Sequence, residues 1–234
     1  MKNILAGIAA AALCTPTLAQ KQQTIEGNGN VTTREVAVSS FSTLEARGVY
    51  ELRLSQDTKE SVKIEADENL QDYFTVRTEG NKLIIETDKM KNLSIKSKKT
   101  LKVYVNFKTL TDLSLHMVGN VGSDEKLSFD NLNITNNSVG NVDLQLSAKQ
   151  LDLKNHSVGN LKLEGAADNA VVENNGVGNL RAGSFVVQTM DLSNSGLGNT
   201  EVNAEKNLKV SNSALGHLKN KGAAEVKKRR IVKA

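Results

Sequence analysis

Along the second half of the chain, apolar and polar residues alternate in short runs, and the runs recur. Val142-Asp143-Leu144-Gln145-Leu146 puts Val142, Leu144 and Leu146 on one side of an extended segment, and Leu151-Asp152-Leu153-Lys154-Asn155 does the same for its leucines. A period of two predicts strands buried on one face. The polar stretch Ser147 to Gln150 between them predicts a corner. Each pair of runs is introduced by one short signature: Ser138 to Val142 (SVGNV), Ser157 to Leu161 (SVGNL), Gly176 to Leu180 (GVGNL) and Gly196 to Thr200 (GLGNT), with weaker copies at Met117 to Val121 and Ala214 to Leu218. The signature glycines are Gly119, Gly140, Gly159, Gly178, Gly198 and Gly216, so the steps are 21, 19, 19, 20 and 18 residues. A fixed period near twenty residues is the mark of a solenoid. The expected fold is all-β: a parallel β-helix (β-solenoid) of ~20-residue coils, each coil covering the edge of the one before.

The glycines and the asparagines that follow them, Asn120, Asn141, Asn160, Asn179 and Asn199, are the expected turn residues, since both tolerate left-handed backbone. Val139, Val158, Val177, Leu197 and Leu215, just before the glycines, are expected to plug the corner from inside. A second column stands four residues before each glycine: Asn136, Asn155, Asn174, Asn194 and Asn212. Counting by twos from Leu151 and Leu153 puts Asn155 on the buried side. Stacked about 4.8 Å apart, such amides can bond to one another, so an interior asparagine ladder is expected. It ends at Leu115, which holds the same place in the first coil.

The first half has strands without a clean repeat. Val31 to Val38, Val49 to Leu54, Ser61 to Ala66 and Leu101 to Phe107 read as strands. Tyr73 to Thr78 and Leu83 to Thr87 flank Gly80-Asn81 as a hairpin, and Asp67 to Tyr73 allows one short helical turn. The expected organisation is a secretory signal over 1–19, a flexible leader over 20–30, and one solenoid domain over 31–220. That domain divides into an irregular β region at 31–110 and the Gly-Asn repeats at 111–220. A basic tail follows at 221–234. Lys2, the apolar run Ile4 to Leu13 and Thr17-Leu18-Ala19 carry the signal reading, which implies an exported protein, periplasmic, outer-membrane-associated or extracellular. Cys14 falls within the signal, so no disulfide is expected. No later segment is apolar enough to span a membrane.

Composition adds less. Aromatics make up 3% of the chain and the net charge is +4. Without Lys2 it is +3, and the stretch Lys219 to Ala234, with seven basic residues against Glu225, carries +6, which leaves about −3 elsewhere. A basic run in an exported chain fits an end-cap or contact with anionic lipid or polysaccharide better than nucleic acid, and no nucleic-acid partner is expected.

Candidate chemistry is sparse. The outward column Gly122, Asp143, Lys162, Arg181, Glu201, Lys219 is mixed in sign, as on a solvated face. In the column Asp112, Asn133, Asp152, Val171, Asp191, Lys209 the two acids Asp152 and Asp191 lie two coils apart, too far to share a metal. His116 and His156 also sit two coils apart, and His217 takes the turn-asparagine place. No catalytic residue, metal site or cofactor is expected.

Gly27 to Val31 (GNGNV), Phe41 to Leu44 (FSTL), Gly48 to Leu52 (GVYEL), Val62 to Leu70 (VKIEADENL) and the Gly-Asn repeats together resemble the "putative auto-transporter adhesin, head GIN domain" family of secreted Bacteroidetes-type proteins, over roughly Thr32 to Asn220. The resemblance implies a β-helical exported protein with an adhesive or binding role and brings no catalytic residues. An auto-transporter's C-terminal outer-membrane barrel is expected to be missing. The expectation is therefore a non-enzymatic envelope or surface protein whose partner is a glycan, an envelope component or a protein surface ligand. The alternatives are a carbohydrate-active β-helix enzyme and a purely structural envelope protein.

Overall fold

The computed structural model describes residues 23–87, 93–96 and 101–228. The signal stretch and the tail residues Arg229, Arg230 and Lys233 lie outside them. The strands in chain order are β1 (Gln23–Glu26), β2 (Val31–Val36), β3 (Thr43–Val49), β4 (Glu51–Gln56), β5 (Ser61–Asp67), β6 (Thr75–Glu79), β7 (Lys82–Glu86), β8 (Leu93–Lys96), β9 (Lys102–Phe107), β10 (Asp112–Val118), β11 (Val121–Ser123), β12 (Leu127–Asn136), β13 (Val142–Asn155), β14 (Leu161–Asn174), β15 (Leu180–Asn194), β16 (Thr200–Asn212), β17 (Leu218–Asn220) and β18 (Val226–Lys228). Among the described residues the helical content is one 3-10 turn, Glu68–Tyr73. The architecture is a β-solenoid of about six turns with a mixed, nearly closed sheet at its N-terminal end.

From β10 onward every pairing is parallel and joins equivalent residues of successive coils. Strands expected to be short run for 13 to 15 residues in β13 to β16, because the backbone keeps pairing through the corner and skips only a residue such as Lys149. Burial follows the alternation. Leu132, Leu151, Ala170, Met190 and Leu208 form one interior column, and Leu113, Ile134, Leu153, Val172, Leu192 and Val210 another.

The N-terminal half contains two coils that the sequence did not disclose. β3 and β4 stack in register under β10 and β11, and β7 and β9 stack under β3 and β4. The order of layers is therefore not the order of the chain. The β3–β4 coil lies between a coil that follows it in sequence and the first Gly-Asn repeat. Tyr50 sits where later coils have the turn glycine. Its ring is buried against Phe74, its hydroxyl donates to the Ile85 carbonyl at 3.1 Å, and burial pushes its phenol well above the ordinary value. The open edge below is closed by antiparallel strands, β6 on β7 and β5 on β9, with β2 on β5. A stack that would end in unpaired backbone ends instead in reversed strands, a recognised way to protect an edge.

Three expectations are corrected. The leader read as flexible contains β1, which pairs with β8, and Gly29 N–H donates to Asp67 at 2.8 Å. The tail read as beginning at Lys221 still belongs to the stack, since β18 pairs with β16. The third concerns Val139, Val158, Val177, Leu197 and Leu215, which do not plug the corner. Val139 is 49% exposed and Leu215 73%. The parity of the strand carries through the turn: Asn136 and Ser138 point in, so Val139 points out.

Candidate binding surface

The repeat signature builds two ladders and one ridge around each turn. Inside, Asn136 Nδ2 donates to Asn155 Oδ1 at 2.9 Å, Asn155 to Asn174 at 2.8 Å, Asn174 to Asn194 at 2.8 Å, and Asn194 to Asn212 at 2.9 Å. The first four are buried, whereas Asn212, on the last rung, is exposed. Ser138 Oγ and Ser157 Oγ also donate to the Oδ1 of Asn136 and Asn155, at 2.6 and 2.8 Å. Sequence reading missed these two serines, although they lie two residues beyond a buried asparagine and share its parity. Farther up the column Gly176 replaces them, and a Cβ there would stand 2.6 Å from Asn155 Nδ2.

Outside, the turn asparagines serve the backbone. Asn141 N–H donates to Asn120 Oδ1 at 3.0 Å, Asn160 to Asn141 at 3.0 Å, Asn179 to Asn160 at 3.1 Å, Asn199 to Asn179 at 3.0 Å, and His217 to Asn199 at 3.1 Å. Each carboxamide thus accepts from the coil that follows. His217 stands in the last such coil, where no further N–H calls for an acceptor, which accounts for the loss of asparagine there. The glycine between ridge and ladder is required sterically. Gly159 has φ of 140°, and a Cβ on it would lie 2.0 Å from the Gly140 carbonyl oxygen.

The ridge is the exposed apolar column Val49, Val118, Val139, Val158, Val177, Leu197 and Leu215, each residue paired with the next across one coil. At about 4.8 Å per coil it extends for about 29 Å. The asparagine ladder borders it on one side. The column His116, Asn137, His156, Asn175, Ser195 and Ser213 borders it on the other, in which Asn175 Nδ2 lies 3.1 Å from His156 Nε2 and Ser195 donates to Asn175.

The remaining faces carry scattered ion pairs. In the outward column after the turn, Arg53 pairs with Glu51 at 2.7 Å and Asp124 at 3.1 Å, and Lys162 with Glu164 at 2.8 Å and Asp143 at 3.2 Å. Those two carboxylates hold Lys162 above its ordinary value. Asp152 and Asp191 are separated by the intervening coil at Val171. Among the described residues no group of three or more His, Cys, Asp or Glu could hold a metal ion, and no helix is long and apolar enough to cross a membrane. The histidines are spread over separate coils.

The family model described as "Putative auto-transporter adhesin, head GIN domain" matches residues 40–224. The chain belongs to this family. Among solved structures, a "putative adhesin" from Bacteroides fragilis is 29% identical, with 88% of this chain and all of that one covered and a TM-score of 0.73. A "putative lipid binding protein" and a "putative adhesin", both from Parabacteroides distasonis, share the fold at 20% and 16% identity. The former covers 89% of this chain and the latter 88%, each in full on its own side, with TM-scores of 0.56 and 0.51. No match is found among curated proteins. The description of the family names an adhesin and indicates no enzymatic activity, and the adhesin naming of its relatives hints at a surface protein.

Proposed function

We propose that this GIN-domain protein is exported to the envelope or surface of a Gram-negative cell and acts there by binding, in an adhesive role, without catalysis. The observation that carries this reading is the Val49-to-Leu215 ridge. Seven stacked positions keep an aliphatic side chain that is 42 to 73% exposed, where a polar residue would be accommodated equally well. A contiguous exposed apolar surface of this kind marks an interaction site more often than chance placement of single residues. Its borders of Asn, Ser and His add hydrogen-bonding capacity. The partner classes that such a surface fits are a glycan, an envelope component or a protein at the cell surface. Support also comes from the signal-like N-terminus and from the separation of the outward acids.

The test combines location and binding. Cell fractionation with mass spectrometry of the native protein should find an N-terminus at or near Gln20, and intact Met1 on a cytoplasmic protein would overturn the export reading. A glycan and host-matrix array with the mature chain should give specific binding. Polysaccharide lyase or hydrolase turnover abolished by changing one outward Asp or Glu would overturn the non-enzymatic reading.

A further inference from the structure

Near the C-terminal end of the solenoid a recess of about 450 Å³ is lined by Asn179, Arg181, Asn199, Thr200, Glu201, His217 and Lys219, over the backbone of Leu180. Three of these form one outward column, Arg181, Glu201 and Lys219, in successive coils. The charges in it are not balanced as they are lower in the same column. Arg53 and Lys162 each hold two carboxylates. The side chains of Arg181 and Lys219 have no ion-pair or hydrogen-bond partner among the described residues. Glu201, which stands between them, is engaged elsewhere. Its carboxylate lies over Gly183, where a Cβ would meet Oε1 at 2.0 Å, and pairs with Lys221 at 2.7 Å. Two exposed cations therefore flank a carboxylate that a third cation neutralises.

One further feature points to a polar ligand. Asn199 uses its Oδ1 to accept from His217, which leaves its Nδ2 as a donor at the rim.

We propose that this recess binds the carboxylate or sulfate groups of an acidic polysaccharide, with Arg181 and Lys219 contacting acids and the Asn179 and Asn199 amides contacting hydroxyls. The inference rests on the binding role proposed above and names a ligand class for it. The guanidinium of Arg181 offers the planar fork that suits a carboxylate or sulfate, and Lys219 supplies a point charge two coils away, about 10 Å along the column. Cations in line along the stacking axis fit a chain that carries acids at intervals. A concave recess admits sugar rings, whereas a flat bilayer does not enter it. Lys227 and Lys228 on β18 add a positive field at the same end that favours encounter with a polyanion.

The experiment is a titration of the full mature chain with polygalacturonate, dextran sulfate, neutral dextran, and vesicles of equimolar phosphatidylcholine and phosphatidylglycerol. Binding to at least one acidic polymer, weakening with added salt, and none to neutral dextran is expected. The Arg181→Ala/Lys219→Ala double variant should lose about tenfold or more in affinity, from two charge-assisted contacts. Lys162→Ala, in the same column but held by two carboxylates, should change affinity by less than about twofold. Far-ultraviolet circular dichroism should be the same for all variants, since all three side chains are exposed or paired at the surface. No binding to either acidic polymer, an equal loss in Lys162→Ala, or binding to anionic vesicles alone would overturn the proposal. Adhesion to cells or matrix is measured separately. Adhesion that persists in the double variant while polymer binding is lost leaves the adhesive role standing and assigns it to another surface. Polymer binding without adhesion supports the recess and removes the adhesive role.

Discussion

Asn155 and Asn174 lie in successive coils with their side chains sealed inside the solenoid, and the Nδ2 of the first donates to the Oδ1 of the second at 2.8 Å. Each amide in the middle of the ladder therefore depends on two neighbours. Asn174→Leu keeps the volume but strands the Asn155 donor and removes the donor to Asn194. The expected cost is about 2–4 kcal/mol, from two buried polar groups at about 1–3 kcal/mol each, partly offset by apolar burial. Asn212→Leu should cost about half as much, about 1–2 kcal/mol, because only the Asn194 Nδ2 donor loses its acceptor. Urea unfolding of both variants against the parent decides it, with the transitions of a repeat array checked by two probes. A neutral Asn174→Leu would remove the ladder from the account of stability.

Gly159→Ala should destabilise by more than about 3 kcal/mol, because the new Cβ collides with backbone in a left-handed conformation. Gly29→Ala is the matched control. Gly29 also has positive φ, of 79°, but nothing lies within 4 Å of the added carbon, so about 1–2 kcal/mol is expected there. Thermal melts of the two variants should therefore separate clearly.

The outer ladder gives an asymmetric pair. Asn160→Ala removes the acceptor of the Asn179 N–H and should cost about 1 kcal/mol. His217→Asn restores the repeat residue where there is no following N–H to receive and should stay within about 0.5 kcal/mol of the parent. A large gain from His217→Asn would mean that the terminal coil lacks an acceptor after all.

The ridge separates binding from stability. Replacing Val139, Val158 and Val177 together with Thr keeps β-branched strand residues at exposed positions, so the chemical-denaturation midpoint should move little. Partner capture on the array should fall. Unchanged capture would take the ridge out of the binding surface.

Acid should act on the N-terminal layers through Glu45. Burial alone would raise its pKa, but Arg47, which donates to it, and Lys82, at 3.4 Å, outweigh burial and hold it below the ordinary glutamate value. A carboxylate lowered in the folded state contributes stability that is present above its unfolded pKa and fades as pH falls through the folded one. The parent should therefore lose more stability than Glu45→Gln below about pH 4.5, the unperturbed value, and the two curves should run parallel at neutral pH. Parallel curves down to strongly acid pH would show that Glu45 is not the responsible group.

The repeat half was legible because one cause acts many times. A glycine forced by backbone contact recurs at each turn, and the strand parity set by Leu151 and Leu153 reaches Asn155 unbroken. The same parity puts Val139 outside, whereas hydrophobicity alone puts it inside, and at this position parity prevails. The β3–β4 coil was illegible for a different reason. Its turn uses Gly48 and Tyr50 rather than Gly-Asn, and its partners in β7 and β10 are about 40 and 70 residues away in sequence, where no local pattern reports them. The Arg181–Lys219 recess was hidden in a column that looks balanced. Only the engagement of Glu201 by Lys221 reveals which charges are left over.

The interleaved layer at the base also sets a sequence of events. β3 cannot reach its final neighbours until β7 has arrived from one side and β10 from the other, so the base must be assembled from distant segments before it offers a finished edge. Closing such loops is slow relative to laying one coil on the next. The base is then expected to act as a seed, with the Gly-Asn coils growing upon it. Hydrogen exchange during refolding is expected to protect β3, β7 and β10 together, with protection then advancing from β12 toward β16. A chain that protects β16 before β3 would have been seeded from the other end.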